Sequence, residues 1–450
     1  MRRILALPTI VVLCASFACE RGARPPLVLL ISVDTVRRDA LRAFDAAAAP
    51  LPSLDAFAAE NVRFERAVST ASWTLPAHGS LLTGLYPDRH GATDPRVTLA
   101  TDVATLAEQF HAGGYETIGL THGGYLDHRF GFDRGFDRYV DDPSSFPDTA
   151  DALHSTFDEA AALVARRTDP RPLFLFLHTF SVHDYYMLRA WSVAQLAAKP
   201  ARTASQYAQC LQGAIRCSEE DWQVLRALYA AELRNLDACF ARLRAALVQA
   251  ALWDDAVVLL TSDHGEGFDP ERHRIHHGGR LHEDLIRIPL VLHAPGLAPR
   301  AVGAPASLVD VAPTLLELAG LSPLPKVDGR SLARPARGAT EDGPTRALFA
   351  VEHYSAWWGA ARTSPAAVQA RPLALAAIAG DRWFLRQIGH EMVYDIAADP
   401  HQERDLAASA ADLPELRALA QQRDVDRVPS PASAGAEDLR NRLRALGYGE

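Results

Sequence analysis

The sequence predicts an α/β fold, with a large, mainly parallel β-sheet flanked by helices and a small C-terminal α+β subdomain. Three apolar runs have the near-continuous hydrophobicity of strands buried on both faces: Leu27–Val33, Leu173–Leu177 and Ala256–Ser262. Helical segments alternate with strand-like segments along this part of the chain, which is typical of a parallel sheet covered by helices. Beyond residue 345, shorter strand-like segments follow one another directly and predict an antiparallel unit.

The composition is that of an ordinary globular protein. The chain has 450 residues, of which 48% are hydrophobic and 22% charged, and these values are ordinary for a globular protein. We predict a large domain over residues 27–340, a subdomain over 345–412 and a helical tail over 413–450. The net charge of -9 and the lack of a clustered run of Lys or Arg argue against nucleic acid as a partner.

The first 19 residues have the features of an export signal. Two arginines precede the mostly apolar run Ile4–Leu13, which is too short to span a bilayer comfortably. Ser16-Phe-Ala-Cys19 is similar to a degenerate bacterial lipoprotein box, in which Cys19 is the lipidated residue. We therefore predict a periplasmic protein or a lipoprotein anchored to the membrane through Cys19; the alternative is a plain leader without a lipid.

Asp34 directly follows the first buried strand. Ligands of open α/β sheets bind beyond the carboxyl ends of the strands, so an acid at this place is a candidate site residue. A helix cap or a turn aspartate is the alternative.

Thr74 lies at the start of a predicted helix. Pro76 suits a first helical turn, and the residues from Ala77 to Thr83 are helix-compatible until Gly84. The free N–H groups of such a helix end favour an anion and lower the pKa of a hydroxyl. A threonine still needs a metal or a base to act as a nucleophile, and simple capping is the alternative role.

Histidines follow the second buried strand, at His178 and His183. The third strand leads directly into Asp263-His264. A carboxylate and an imidazole at a strand end suit a borderline cation such as zinc or manganese. A histidine-rich segment comes next, and His276 and His277 are candidates for donating a proton to a leaving oxygen near neutral pH. The alternative is that this segment is an exposed loop.

The remaining segments are interpreted as structural. A helix from Asp221 to Val248 carries apolar residues at intervals of three and four, and this face predicts core packing. Cys210 and Cys217 are close enough in sequence to close a small loop in an oxidising compartment, but pairing is left open. The predicted antiparallel strands of the subdomain are Leu348–Glu352, Leu373–Ala379, Arg382–Ile388 and Glu391–Asp395.

These motifs together resemble the sulfatase family of alkaline-phosphatase-like enzymes. Thr74-Leu-Pro-Ala-His78 occupies the five places of the family signature, Cys or Ser, any residue, Pro, any residue, Arg; Leu81-Leu-Thr-Gly and Tyr86-Pro-Asp-Arg-His-Gly follow as in the family. The family converts its Cys or Ser to formylglycine. Threonine cannot be converted in that way, and His78 stands where the family has arginine. The resemblance therefore implies an unmodified threonine nucleophile or a loss of activity.

The resemblance also implies the roles of the other candidates. Asp34, Thr74, Asp263 and His264 would hold one divalent ion, zinc, manganese or calcium, and His183 and His277 would act on the substrate anion or the leaving group. The implied fold is the sulfatase fold, and the implied function is hydrolysis of an anionic sulfate or phosphate ester. The alternatives are transfer of a phospho-group to an envelope lipid or glycan, and a degenerate binding protein. Neither the natural ester nor the oligomeric state follows from the sequence.

Overall fold

The structure is a computed structural model that describes residues 24–141, 155–272, 274–339, 346–353, 371–387, 389–426 and 428. The leader and lipid-anchor prediction therefore lies outside the described residues, as does most of the predicted C-terminal tail. The strands of the large sheet and a small hairpin are β1 Leu27–Val33, β2 Val62–Val68, β3 Glu116–Leu120, β4 Arg138–Val140, β5 Leu173–Thr179, β6 Val257–Ser262, β7 Phe268–Asp269, β8 Arg274–Ile275, β9 Leu290–His293 and β10 Arg300–Ser307.

Helices connect these strands and cover the sheet. They are α1 Pro52–Glu60, α2 Thr74–Thr83, α3 Pro87–His90, α4 Leu106–Ala112, α5 Ser155–Arg166, α6 Ala190–Val193, α7 Ala204–Leu211, α8 Glu219–Gln249, α9 Glu283–Ile286, α10 Val311–Leu318 and α11 Ala333–Ala336. None of the helices in the described ranges is both long and apolar enough to cross a membrane.

Eight strands of the described chain form the large sheet, in the order β10-β2-β9-β6-β1-β5-β3-β4. Its centre is parallel, because β1 pairs in parallel with both β5 and β6, while β9 runs antiparallel to β2 and β6. Alternate β1 residues enter two different hydrophobic clusters: Val28 and Leu30 belong to one, and Leu29 and Ile31 to the other. The sheet is therefore covered on both faces, as the continuous apolar runs predict.

The antiparallel unit also matches the prediction. Four strands, β11 Leu348–Glu352, β12 Ala374–Ala379, β13 Arg382–Gln387 and β14 His390–Asp395, pair in sequence order. Helix α12, Leu413–Ala420, packs on one face of this sheet through Leu416 and Ala420. The α/β fold with a small C-terminal antiparallel sheet is confirmed.

Two local features complete the description. Helix α4 begins at Leu106, because Thr105 and Glu108 form a capping box that fixes its start. Cys210 and Cys217 form a disulfide, between α7 and the start of α8. Cys239 is a buried free cysteine on α8.

Candidate functional site

Three neighbouring strands end at the same level of the sheet. Val33, the last residue of β1, pairs with Thr179 of β5 on one side and with Ser262 of β6 on the other. Because the three strands are parallel, the residues that follow them emerge together at one edge. Asp34 and Asp263 are therefore brought together although they are far apart in the sequence.

Thr74 is the first residue of α2, and all ten residues of this helix are buried. The N-cap position is occupied by Trp73, which makes no side-chain capping hydrogen bond. The Thr74 hydroxyl instead faces the strand ends: Oγ1 lies 3.3 Å from Asp34 Oδ2 and 3.5 Å from His264 Nε2. The Thr74 side chain therefore does not cap α2, because its hydroxyl points to other side chains and not to its own helix end.

Asp34, Asp263 and His264 form a buried group of potential metal ligands. His264 Nε2 lies 3.4 Å from Asp34 Oδ1 and 3.4 Å from Asp263 Oδ2. Two ligands on a tetrahedral zinc, each about 2.0–2.1 Å from the ion, are about 3.3–3.4 Å apart. Among the described residues, Asp34 Oδ1 and Asp263 Oδ2 are buried without a hydrogen-bond partner. Asp34, Asp263 and His264 therefore have a spacing that suits a divalent cation, and two of their oxygens have no other partner.

Electrostatics favour a cation beside these carboxylates. Asp34 and Asp263 are both fully buried. Burial, and then the charge of Asp263, raise the pKa of Asp34 well above its usual range. Burial also lowers the pKa of His264, so its imidazole is neutral and has a nitrogen lone pair for coordination.

His78 takes the place that the family signature gives to arginine, and it faces inwards. Its Nδ1 lies 2.9 Å from the Thr74 carbonyl oxygen and 3.6 Å from Asp263 Oδ2, and its Nε2 lies 2.9 Å from Ser32 Oγ. Burial lowers the pKa of His78, so the ring is neutral. Nδ1–H donates to the Thr74 carbonyl and Nε2 accepts from Ser32, so His78 fixes the backbone of Thr74 without adding a positive charge.

The two histidines predicted to act on the substrate lie against this group. The His277 ring centroid is 4.6 Å from that of His264 and 5.0 Å from that of His183. His183 Nδ1 is 2.7 Å from Asp184 Oδ1. Burial lowers the pKa of His183, but the hydrogen bond with Asp184 and the charge of Asp34 more than offset this and raise it to about 9.

His276 and His277 share one buried carboxylate. Glu266 Oε2 lies 3.2 Å from His277 Nδ1 and 3.4 Å from His276 Nδ1. Burial raises the pKa of Glu266, yet His277 and His276 hold it well below its usual range. The exposed-loop alternative for this segment is wrong, because both histidines are less than a tenth exposed.

Glu352, the last residue of β11 in the antiparallel sheet, contacts the segment that precedes Thr74. This carboxylate accepts hydrogen bonds from the Ser72 backbone N–H and hydroxyl and from Trp73 Nε1, and the Val351 N–H donates to the Thr70 carbonyl. The residues that precede Thr74 are therefore held by β11 as well as by the large sheet.

Asp184, Glu266 and Glu352 were missed as functional residues by the sequence reasoning. Two of them could have been found from the sequence, because Asp184 directly follows His183 and Glu266 lies two residues after His264. Glu352 had none, because only the packing of one sheet against the other brings it to Ser72.

Comparisons with known proteins identify the family of the chain. A sequence profile described as Sulfatase matches residues 26–321. The chain is similar to a choline-sulfatase of Rhizobium meliloti (25% identity, 85% of this chain and 82% of the relative) and to a multifunctional alkaline phosphatase superfamily protein of Trinickia caryophylli (25% identity, 85% and 91%).

Solved structures share the fold. A putative sulfatase from Bacteroides thetaiotaomicron aligns with a TM-score of 0.72 at 19% identity over 92% of this chain and 99% of that chain. A phosphonate monoester hydrolase of Agrobacterium radiobacter aligns with a TM-score of 0.71 at 21% identity over 94% and 96%.

Proposed function

This chain belongs to the sulfatase family and is a hydrolase of sulfuric or phosphoric esters, and within that class we propose that Thr74 is its nucleophile. The carrying observation is the position of Thr74 Oγ1, 3.3 Å from Asp34 Oδ2 and 3.5 Å from His264 Nε2 at the buried start of α2. A hydroxyl in such a place needs no modification to attack an ester, provided that its proton is removed.

One divalent metal ion supports this reaction. Asp34, Asp263, His264 and Thr74 would hold it, and the bound ion supplies a positive charge that favours the Thr74 alkoxide and polarises the ester oxygen. Zinc and manganese suit this set of carboxylate and imidazole ligands, and calcium remains the third candidate.

The chain's own residues carry the remaining steps. Thr74 Oγ, whose proton has passed to solvent water, attacks the phosphorus or sulfur atom, and the bond to the leaving oxygen breaks on the opposite side. His183, oriented by Asp184, gives its proton to that oxygen. Water then attacks the Thr74 ester, passes a proton to His183, and releases the Thr74 oxygen together with inorganic phosphate, phosphonate or sulfate.

Thr74→Ala and Thr74→Ser test the nucleophile. We expect Thr74→Ala to lower kcat by at least about 10³-fold, and Thr74→Ser to retain most of it, because serine keeps the attacking oxygen. Turnover is measured on paired aryl sulfate, phosphate monoester, phosphate diester and phosphonate substrates. Equal turnover by Thr74→Ala and wild type, at equal folding and metal content, would refute the proposal.

We propose further that the chain acts outside the cytoplasm. The leader-like residues 1–19 and the Cys210–Cys217 disulfide both fit an oxidising compartment. Expression of the full chain in a bacterium with labelled palmitate tests this proposal together with lipidation: label and membrane fractionation that disappear in Cys19→Ser support the anchor. Wild-type protein that stays in the cytoplasm with its leader uncleaved contradicts export.

A further inference from the structure

Polar contacts continue from Asp184 to helix α8. Arg189 Nη1 donates to the Asp184 backbone carbonyl at 2.8 Å, and Arg189 Nη2 lies 3.7 Å from Asp184 Oδ2. Arg189 Nη1 also lies 3.3 Å from Oε1 of Glu232, a residue of α8. Resting on the proposed function, we propose that Arg189 and Glu232 are positioning residues for His183, which hold the Asp184 carboxylate against the His183 ring.

The Arg189 guanidinium contacts Asp184 at two points. It binds the backbone carbonyl and approaches carboxylate oxygen Oδ2, while the other carboxylate oxygen, Oδ1, lies 2.7 Å from His183 Nδ1. The direction of the Asp184 carboxylate therefore depends on the guanidinium as well as on the imidazole. A guanidinium suits this task, because it presents several N–H donors in one rigid plane.

The turn that brings Arg189 back to Asp184 has an unfavourable backbone conformation. Tyr185–Met187 is a short 3₁₀ helix, and Leu188 follows with a φ of 54°, in the left-handed region that residues with a Cβ atom seldom adopt. Such a conformation persists where the surrounding contacts hold it. The contacts of Arg189 with Asp184 and Glu232 are of this kind, since they join the two ends of the turn and fix it to α8.

Helix α8 also contacts the loop that follows β1. One turn before Glu232, Tyr229 packs edge-on against Tyr185, with ring centroids 5.7 Å apart. The Tyr229 hydroxyl donates to the Thr35 carbonyl at 2.9 Å. The same helix therefore holds the loop after β1 and the segment after His183, so that Glu232 fixes the proposed proton donor relative to the end of β1.

The burial of Glu232 is poorly explained by stability alone. Its side chain is 0% exposed, and among the described residues no hydrogen-bond partner reaches its Oε2. Burial raises the pKa of Glu232 to about 8, although the charge of Arg189 opposes this rise. The carboxyl group is therefore largely protonated at neutral pH, so Oε1 still accepts from Arg189 while the charge of the guanidinium is left to Asp184. An apolar residue of similar size would be less costly to bury.

Kinetics with two leaving groups test the proposal. Arg189→Met and Glu232→Leu remove the contact between the two side chains, whereas Glu232→Gln keeps an acceptor oxygen on a side chain of the same length. With ethyl and para-nitrophenyl esters of the same acid, we expect the first two variants to lower kcat at least about 10-fold for the ethyl ester. The fall for the para-nitrophenyl ester should be less than about threefold, because its leaving group needs no proton from His183. Glu232→Gln should stay within about twofold of wild type for both esters.

The control is Arg234→Met, also on α8, because the Arg234 guanidinium binds Gln195 and not Asp184. It should leave turnover of both esters unchanged. An equal fall for both esters in folded Arg189→Met and Glu232→Leu, or no fall in either, would overturn the positioning role. If Arg189→Met does not fold, Arg189→Lys takes its place, and it should show a smaller fall that is again confined to the ethyl ester.

Asp184→Asn separates this inference from the proposed function. If Asp184→Asn shows no difference between the two esters, the proposed proton donation by His183 is wrong. If Asp184→Asn loses turnover of the ethyl ester selectively while Arg189→Met and Glu232→Leu do not, the proposed function stands and the positioning role of Arg189 and Glu232 is wrong.

Discussion

Asp184 is proposed to act through the neighbouring imidazole of His183. Its carboxylate lies 2.7 Å from His183 Nδ1, so it fixes the ring and favours the protonated imidazole. In the proposed mechanism His183 gives its proton to the leaving oxygen, and this assistance matters most where that oxygen is a strong base.

Asp184→Asn should therefore show a dependence on the leaving group. We expect kcat to fall about 10- to 100-fold for an alkyl ester and to change less than about threefold for an activated aryl ester, which needs no proton. Steady-state kinetics on a series of leaving groups measures this difference. An equal fall across the series would assign Asp184 to folding or binding instead of proton donation.

At the scale of elements, α2 is positioned by an unusually close contact with α3. A Cβ atom added to Gly79 would meet the His90 ring at 2.4 Å, and His90 Nε2 lies 3.1 Å from the Pro76 carbonyl oxygen. Burial lowers the pKa of His90 to about 3, so this ring packs as a neutral group.

Gly79→Ala should consequently destabilise the protein, although alanine is the better helix former by about 1 kcal/mol. We expect a net loss of about 1–3 kcal/mol in the free energy of unfolding and a lower kcat, because the ring pushes α2 and Thr74 from their places. Urea unfolding measures the first effect. Gly303→Ala is the control, since nothing lies within 4 Å of its added Cβ; similar losses in both variants would exclude the close-contact explanation.

Strands and helices are the features that the sequence predicts best. The buried strand Leu27–Val33 and the long helix α8 carry their periodicity locally, so their existence is readable without tertiary information. The four proposed metal ligands stay a prediction; strand ends and a helix start marked them as candidates, and the resemblance to the sulfatase motifs gave them the role of ligands. Glu266 and Glu352 were not found, because their contacts depend on loop closure and on the docking of one sheet against another, which no local pattern encodes.

On the scale of the whole molecule, the buried carboxylate of Glu352 is one of the contacts between the antiparallel sheet and the segment that precedes Thr74. Burial raises the pKa of this side chain to about 7, against the hydrogen bonds from Ser72 and Trp73 that lower it. The folded state therefore holds the proton more tightly than the unfolded chain, whose glutamate has a pKa of about 4.3. The associated stabilisation is complete below about pH 4 and is lost as the pH rises through about 7.

Glu352→Gln should remove that pH dependence. Between pH 5 and pH 8 we expect the free energy of unfolding of wild type to fall by about 2 kcal/mol more than that of the variant. Denaturant titrations at both pH values give the comparison, and Glu415→Gln, at an exposed carboxylate on α12, is the control. Identical pH dependences in wild type and Glu352→Gln would contradict the prediction.

The proposed metal ligands come from the ends of β1 and β6 and from the start of α2, which are distant in the chain. No short fragment contains them, and they meet only after β6 has paired beside β1. A metal ion at this site would therefore bind late in folding. It would come from the compartment in which folding is completed. For an exported chain this is the medium outside the cytoplasm, so the metals available there decide which ion the enzyme carries.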